Sequence, residues 1–247
     1  MKLQVLNFRS NTRAIAVTRV PSTFAFQDPR VWRTLPAVRI PYYHKLYASN
    51  PLKDRGDFYA FARFAWNGDG LYMNFEVYDN QLVLPPEDLP PAKCWIYETI
   101  QLYFDAYGDA REKLKSNAVG YGEDDFSYEL IPRDEKTLQI YRRDAPDHQL
   151  TGGVVGGFQA NQVVPDIPSV FSYYNQQVRF YRVKFPARHL MPMPLKAGKT
   201  AGLGIMIWDQ DAANPQEPVK AVLQNVNPLL GTPFRSPHLY PQILLAE

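Results

Sequence analysis

The chain has 247 residues, with 27 basic and 25 acidic side chains and a formal net charge of +2, and no segment is rich in lysine and arginine. This balanced, scattered charge excludes the basic footprint of a nucleic-acid-binding protein, so we expect no nucleic acid among its partners. The single cysteine, Cys94, excludes an intramolecular disulfide and a multi-cysteine metal site.

The N-terminal stretch MKLQVLNFRSNTRAIAVTRV carries charges throughout and has no apolar core of a signal peptide. No window approaches the ~20 apolar residues of a membrane span, so we expect a soluble chain. Because no linker is visible and all-β domains often reach this length, we predict a single domain over residues 1–247.

Period-two alternation of apolar and polar residues recurs along the chain and predicts β-strands. FYAFARFAWN (58–67) is followed by a hairpin-type turn, NGDG (67–70), and by LYMNFEVYD (71–79). A proline-rich loop (84–93) then leads to Trp95 and to ETIQLYFDA (98–106), in which Ile100, Leu102 and Phe104 share the core face. Further strands are predicted at 126–131, 136–143, 177–186, 201–209, 219–225 and 241–246.

Other element types are scarce. Only GDAREKLKSN (108–117) has a helix-forming composition, and the segment 144–176 is predicted to be an irregular insertion. Many short strands with one polar face each, and no βαβ spacing, predict an all-β fold: an antiparallel β-sandwich or jelly roll.

Six weak motifs occur in an order that resembles the family 9 carbohydrate-binding modules and the wider DOMON-like group of β-sandwiches. The resemblance covers about residues 28–246. It rests on Trp32, ARFAWNGDGLYMNFEVYD, WIYETIQLYFDAYGD, EDDFSYEL, FYRVKFPARHL with KAGKTAGLGIMIWDQD, and SPHLYPQILL. It implies a β-sandwich that binds saccharides without catalysis, often attached to a glycoside hydrolase, and an extracellular or cell-surface location.

Sugar-binding members of this family hold a saccharide end between two aromatic rings, which cover the apolar C–H face of the sugar while polar side chains bind its hydroxyls. The resemblance places these rings at Trp95 and Phe234 and a polar floor at Gln101. Glu98, where the family usually has Asp, is assigned to the same site. Trp32 and Trp66 are predicted to be core residues.

Two positions depart from the family pattern beside that site. Glu129 and Ile131 stand where sugar-binding members have polar, partly basic partners, and Ile131 cannot hydrogen-bond a hydroxyl. Phe234 also replaces the usual Trp. These departures leave the specificity for glucose-type sugars open, and a β-sandwich that serves as a structural or protein-interaction module without a sugar site is the main alternative.

Acidic residues at strand ends suggest structural calcium, which the family often carries. Asp79 ends one strand, and Asp209 and Asp211 lie at the exit of another, where carboxylates and loop carbonyls suit Ca²⁺. Capping of turns by Asp side chains is the simpler interpretation. A further cluster, GEDDF (122–126), is typical of a solvated turn.

Two less favoured functions stay open. A jelly-roll glycosidase needs two carboxylates across a cleft, and four carboxylates could share one sheet surface: Glu76, Glu98, Asp105 and Glu129. A haem-binding DOMON-type domain needs axial ligands, for which the chain offers HLMPMP (189–194) and four histidines: His44, His148, His189 and His238. No nucleophile motif supports serine or cysteine catalysis.

Overall fold

The computed structural model describes residues 14–44, 58–110, 122–146, 159–210, 221–226, 233–234 and 236–247. Fourteen strands lie within these ranges: β1 (Ile15–Arg19), β2 (Val38–Arg39), β3 (Tyr42–His44), β4 (Tyr59–Asn67), β5 (Gly70–Tyr78), β6 (Ile100–Asp105), β7 (Asp125–Pro132), β8 (Leu138–Asp144), β9 (Gln162–Val163), β10 (Ser169–Tyr174), β11 (Val178–Pro186), β12 (Thr200–Asp209), β13 (Ala221–Gln224) and β14 (Gln242–Leu245). One short helix, α1 (Pro29–Trp32), and 3₁₀ turns at Pro91–Ile96, Ala187–Leu190 and Pro237–Leu239 accompany them.

The strands form two layers that are joined along one edge. Sheet A has the order β10-β11-β5-β4-β1, with β2 paired to β4, and sheet B has the order β14-β12-β6-β7-β8-β9, with β13 paired to β12 and β3 paired to β13. Strand β1 belongs to both layers, because its first half pairs with β14 and its second half with β4. The predicted β-sandwich class is confirmed. Both pairings of β1 are parallel, which adds a feature to the expected antiparallel arrangement.

The core lies between the two layers and follows from the alternation of side chains. Side chains at successive positions of a strand point to opposite faces, so Ile100, Leu102 and Phe104 face inward together, as predicted. The matching set on β5, Leu71 to Val77 in steps of two, is also buried. Gln101 and Tyr103 consequently lie on the outer face of sheet B.

The segment 144–176 is more regular than expected. Strand β10 lies within it and pairs antiparallel with β11 from Ser169↔Val183 to Tyr174↔Val178, so it forms the edge of sheet A. The short β9 extends sheet B beside β8. Residues 147–158, and most of the helix predicted at 108–117, lie outside the described residues.

The segment before β2 covers part of the outer face of sheet A. Helix α1 begins at Pro29, after the Asp28 side chain, which accepts a hydrogen bond from the Arg30 backbone N–H and caps the helix. Its Trp32 is buried and donates its indole N–H to the Phe26 carbonyl at 2.6 Å. Trp66 is buried in the main core. Both tryptophans are therefore core residues, as predicted.

A buried polar network connects the two layers. Arg142 on β8 donates to the Tyr128 hydroxyl at 2.9 Å and to Nδ1 of His189 at 2.9 Å. An arginine can only donate, so Nδ1 of His189 is the acceptor and its Nε2–H donates to Asp166 at 2.9 Å. The network therefore requires a neutral imidazole, and burial lowers the pKa of His189 below its ordinary value of 6.5.

This network predicts a loss of stability in mild acid. As the pH falls below about 6.5, the unfolded chain takes up a proton at His189 before the folded chain does, so the stability present above that pH is lost. We expect His189→Gln, which can make both hydrogen bonds without titrating, to lose less Tm than the wild type between about pH 8 and about pH 5.5. Thermal unfolding followed by circular dichroism measures the difference.

Other titrating groups also change Tm with pH, but they are the same in the wild type and in His189→Gln. The difference between the two Tm losses therefore reports on His189. Asp105 is one such group, because burial raises its pKa to about 6, so its contribution has the opposite sign in the same pH range. Equal Tm losses in the two proteins would contradict the assigned role of His189.

Candidate functional site

A partly exposed aromatic surface lies on the outer face of sheet B. We call it the aromatic surface and define it by Trp95, Tyr103, Trp208 and Phe234 around Gln101. Trp95 is 36% exposed and packs edge-on against Trp208, with ring centroids 5.2 Å apart. Phe234 is 47% exposed and packs edge-on against Tyr103 at 6.4 Å. The two exposed rings are therefore each supported by a buried ring.

Gln101 connects the two supporting rings. Its Oε1 accepts hydrogen bonds from the Trp208 indole N–H at 2.8 Å and from the Tyr103 hydroxyl at 2.9 Å. Because an indole N–H can only donate, these contacts fix the orientation of the amide. The structure therefore brings together Trp95, Gln101 and Phe234, the three residues that the resemblance assigned to the floor and the rings of the site.

The amide nitrogen of Gln101 continues the network into sheet B. It donates to Oε1 of Glu129 at 2.6 Å, and Arg143 donates to the same oxygen at 2.6 Å. Burial raises the pKa of Glu129, while the Arg143 guanidinium opposes that shift. One of the two N–H groups of the Gln101 amide keeps no partner among the described residues, so it can donate to a bound molecule.

Trp95 lies in the 3₁₀ turn Pro91–Ile96, which packs against sheet B through buried contacts. Cys94 is fully buried against Ile131 and Tyr141, and burial raises the pKa of its thiol. Arg143 donates to the Ala92 carbonyl at 3.1 Å, which ties this turn to the Glu129 network. Cys94 is therefore a packing residue, and its burial leaves the next side chain, Trp95, directed outward.

Phe234 is held by contacts of the segment that precedes β14. The Tyr240 ring lies against Gly204 of β12, where a Cβ would come within 2.9 Å of the ring, so only glycine permits this close approach. The Tyr240 hydroxyl donates to the Pro233 carbonyl at 2.8 Å. This bond fixes the residue beside Phe234 on the outer face of sheet B.

Glu98 does not lie on the aromatic surface. It is fully buried and forms an ion pair with Arg179, which also pairs with Asp79 at 2.8 Å and lies 4.0 Å from Asp209. The second carboxylate oxygen of Glu98 accepts the Gln210 backbone N–H at 3.2 Å. Glu98 therefore supports the ends of β5 and β12 instead of contacting a ligand at Trp95.

The same cluster contains two of the three residues predicted to bind calcium. Oxygens of Asp79, Glu98 and Asp209 lie within 4.8 Å of one another, which is suitable for a cation. However, the guanidinium of Arg179 occupies the position of a cation that would bridge them. A calcium ion there would have to displace Arg179, so calcium at Asp79 and Asp209 stays a prediction. Asp211 lies outside the described residues.

A second cluster of carboxylates includes residues of the segment 122–126, for which a solvated turn was expected. Asp124 and Asp125 are buried beside Asp105, again with oxygens within 4.8 Å. Burial, followed by the neighbouring charge of Asp124, raises the pKa of Asp105 to about 6. Asp105 accepts the backbone N–H groups of Gly108 and Ala110 at 2.8 and 3.2 Å, and Asp124 accepts that of Tyr107 at 2.9 Å. Asp105 and Asp124 therefore cap the turn that follows β6. The expected solvated turn at 122–126 is wrong, because Asp124 and Asp125 are buried.

The residues proposed for a glycosidase and for a haem-binding domain are dispersed over the structure. Glu76 lies on the outer face of sheet A, while Glu98, Asp105 and Glu129 are buried and Glu129 is on sheet B, so the four carboxylates do not share one open surface. Both ring nitrogens of His189 are already hydrogen-bonded. His148 and the side chain of His44 lie outside the described residues.

Sequence reasoning missed Tyr103 and Arg143 as members of this site. Tyr103 lies two positions after Gln101 on the same strand face, so the period-two pattern contained the signal for it. Arg143 reaches Glu129 from the neighbouring strand β8, and nothing in its own sequence context indicates that contact.

No protein-family profile matches the chain, and no curated protein matches it. Within the described residues, no helix is long and apolar enough to cross a membrane.

Solved structures with the same fold are found. A family 9 carbohydrate-binding module from Caldicellulosiruptor kristjanssonii in complex with cellotriose is 16% identical, with a TM-score of 0.61 over 95% of this chain and 94% of that chain. A structure of such a module from the same organism with glucose is 15% identical, with a TM-score of 0.58 over 94% and 95% of the two chains. A candidate carbohydrate-binding protein from Bacteroides uniformis is 10% identical, with a TM-score of 0.53 over 95% and 99%. At these identities the likeness establishes that this chain has the fold of the family 9 carbohydrate-binding modules.

Proposed function

We propose that this protein is a non-catalytic carbohydrate-binding module that holds a saccharide end on the aromatic surface. The observation that carries the proposal is the linkage of two exposed rings, Trp95 and Phe234, through one amide, Gln101. The shared fold with modules bound to cellotriose and to glucose supports the same function.

The chemistry of this surface suits a sugar ring. The C–H face of a pyranose is apolar, so contact with an exposed indole or phenyl ring removes it from water. The unused N–H of Gln101 can donate to a hydroxyl oxygen, and the site needs few such polar groups to orient a ligand. No bond of the sugar is made or broken in this proposal.

A module of this kind works by keeping an attached protein close to a polysaccharide. Stacking on two rings gives modest affinity for one site, so we propose that binding gains strength from proximity to a polysaccharide or from linkage to a glycoside hydrolase. An extracellular or cell-surface location and structural calcium belong to the same proposal, because the family resemblance implies them.

Trp95 is the larger of the two exposed rings. We expect Trp95→Ala to weaken binding of cellotriose at least tenfold, because loss of the buried contact of a large side chain costs about 1.5 kcal/mol or more. Isothermal titration calorimetry with cellotriose and glucose measures the change.

Tyr174→Ala is the matched control, since Tyr174 is 62% exposed on β10 of the other sheet. Equal affinities of the wild type and Trp95→Ala would remove Trp95 from the site. A wild-type protein that binds no saccharide would favour the structural or protein-interaction alternative.

The second prediction concerns Phe234, where the family usually has Trp. We expect Phe234→Trp to tighten binding of glucose-type ligands by about 0.5–1 kcal/mol, a two- to fivefold gain, because an indole offers a larger stacking face. Phe234→Ala should weaken binding in the same titration. If both substitutions leave the affinity unchanged, Phe234 is not a wall of the binding site.

A further inference from the structure

A row of three polar side chains crosses the outer face of sheet A, on the side of the molecule away from the aromatic surface. Arg63 on β4 pairs with Asn74 on β5, and Asn74 pairs with Arg182 on β11. Adjacent strands are about 4.8 Å apart, so the two arginines flank one asparagine across three strands. All three side chains are buried, and Arg182 is only 5% exposed.

This row opens into a pocket of about 80 Å³. Trp32 and Pro29 of helix α1 and the Phe180 ring form its apolar walls, and the Arg182 guanidinium lies 5.0 Å from the centre of the Phe180 ring. This volume is enough for one small functional group.

The acidic groups near Arg182 make their direct contacts with other residues. Its acidic neighbours are Glu76 and Asp28. Glu76 accepts from Arg63 at 2.8 Å and from the Tyr78 hydroxyl, and both oxygens of Asp28 are bonded by Arg30. Among the described residues, Arg182 makes no ion pair.

Several buried polar atoms of the row also lack partners. Nε of Arg182 and Nε of Arg63 have no hydrogen-bond partner within the described part of the chain, and each needs an acceptor. Oδ1 of Asn74 also has none there, but it needs a donor, which a carboxylate does not supply. Burial of an unpaired charge is costly, and it lowers the pKa of Arg182 below its ordinary value. A buried guanidinium without an acceptor is an arrangement that a bound anion completes.

We propose that this pocket binds the carboxylate group of a small acidic ligand, with Arg182 as its principal contact and Asn74 beside it. The planar fork of a guanidinium matches the two oxygens of a carboxylate. Three arginines, Arg33, Arg63 and Arg182, line the pocket together with one carboxylate, Glu76, which pairs with Arg63, so the lining keeps an excess of positive charge. The rest of the ligand extends past Phe180 into solvent.

The test is a titration with sodium acetate at constant ionic strength, followed by the ¹H–¹⁵N signals of the arginine Nε–H groups. Constant ionic strength keeps general screening unchanged. We expect a saturable shift in the wild type and at least tenfold weaker binding in Arg182→Met. Because methionine fills much of the same space without a buried charge, this variant is expected to fold, which circular dichroism checks.

Lys184→Met is the matched control, since Lys184 lies two positions along the same strand face, over the Tyr72 ring and outside the pocket. Arg182→Lys is a second variant, which keeps the charge, loses the fork and should also bind acetate more weakly. Two further ligands carry a carboxylate: D-glucuronate as a sugar acid and the dipeptide Ala-Ala as a peptide C-terminus. Glucose has no carboxylate and is the neutral comparison.

Acetate binding that is equal in the wild type and Arg182→Met would overturn the proposal. So would the absence of saturation in the wild type, or saturation by inorganic sulfate and by none of the carboxylates. Because Arg182 lies on the other sheet, Arg182→Met should bind cellotriose as the wild type does, so this result is independent of the proposed saccharide site.

Discussion

The aromatic surface depends on one buried acceptor, Oε1 of Gln101. An amide oxygen has two lone pairs, and here an indole and a phenol use both. Each donor ring in turn supports an exposed ring, so a single polar atom determines the positions of two apolar platforms. Buried polar groups fix geometry through their hydrogen bonds, and Glu129 on β7 and Arg143 on β8 extend this network. Rings placed in this way are organised before a ligand arrives, which lowers the entropic cost of binding.

The same principle explains most of the buried charges and separates one of them from the rest. Arg179 is surrounded by carboxylates, Arg142 by a hydroxyl and an imidazole, and Glu129 by a guanidinium and an amide. Each of these groups has hydrogen-bond or ion-pair partners within the fold, and those of Arg142 are neutral. Arg182 is buried to a similar degree, and its acidic neighbours are bonded to other arginines. This contrast makes the outer face of sheet A a candidate for a second ligand.

The period-two pattern was sufficient to predict nine of the fourteen described strands, β4 to β8 and β11 to β14, and the sandwich class, because these features depend on neighbouring residues of one strand. Neither the pattern nor the resemblance shows partners that are distant in sequence. The resemblance places Glu98 in the sugar site, but its partner Arg179 lies 81 positions away and draws it into the interior. Strand β1 was not predicted, since its parallel pairing with β14 and β4 becomes visible only when the two layers meet. The resemblance supplied the order of the motifs, and the structure supplied the contacts of Arg143 and Trp208.

The two halves of the aromatic surface are unequal, which bears on how a sugar would be held. Trp95 is backed by a second indole, Trp208, whose N–H is anchored to Gln101, so this side offers a broad and rigid stacking face. Phe234 is a smaller ring, more exposed, and it rests on the edge of Tyr103. Stacking free energy grows with the apolar area removed from water, so in the proposed saccharide site the Trp95 side would contribute the larger share. Phe234 would offer the smaller stacking face there, and a Phe in place of the usual Trp predicts saccharide binding of lower affinity.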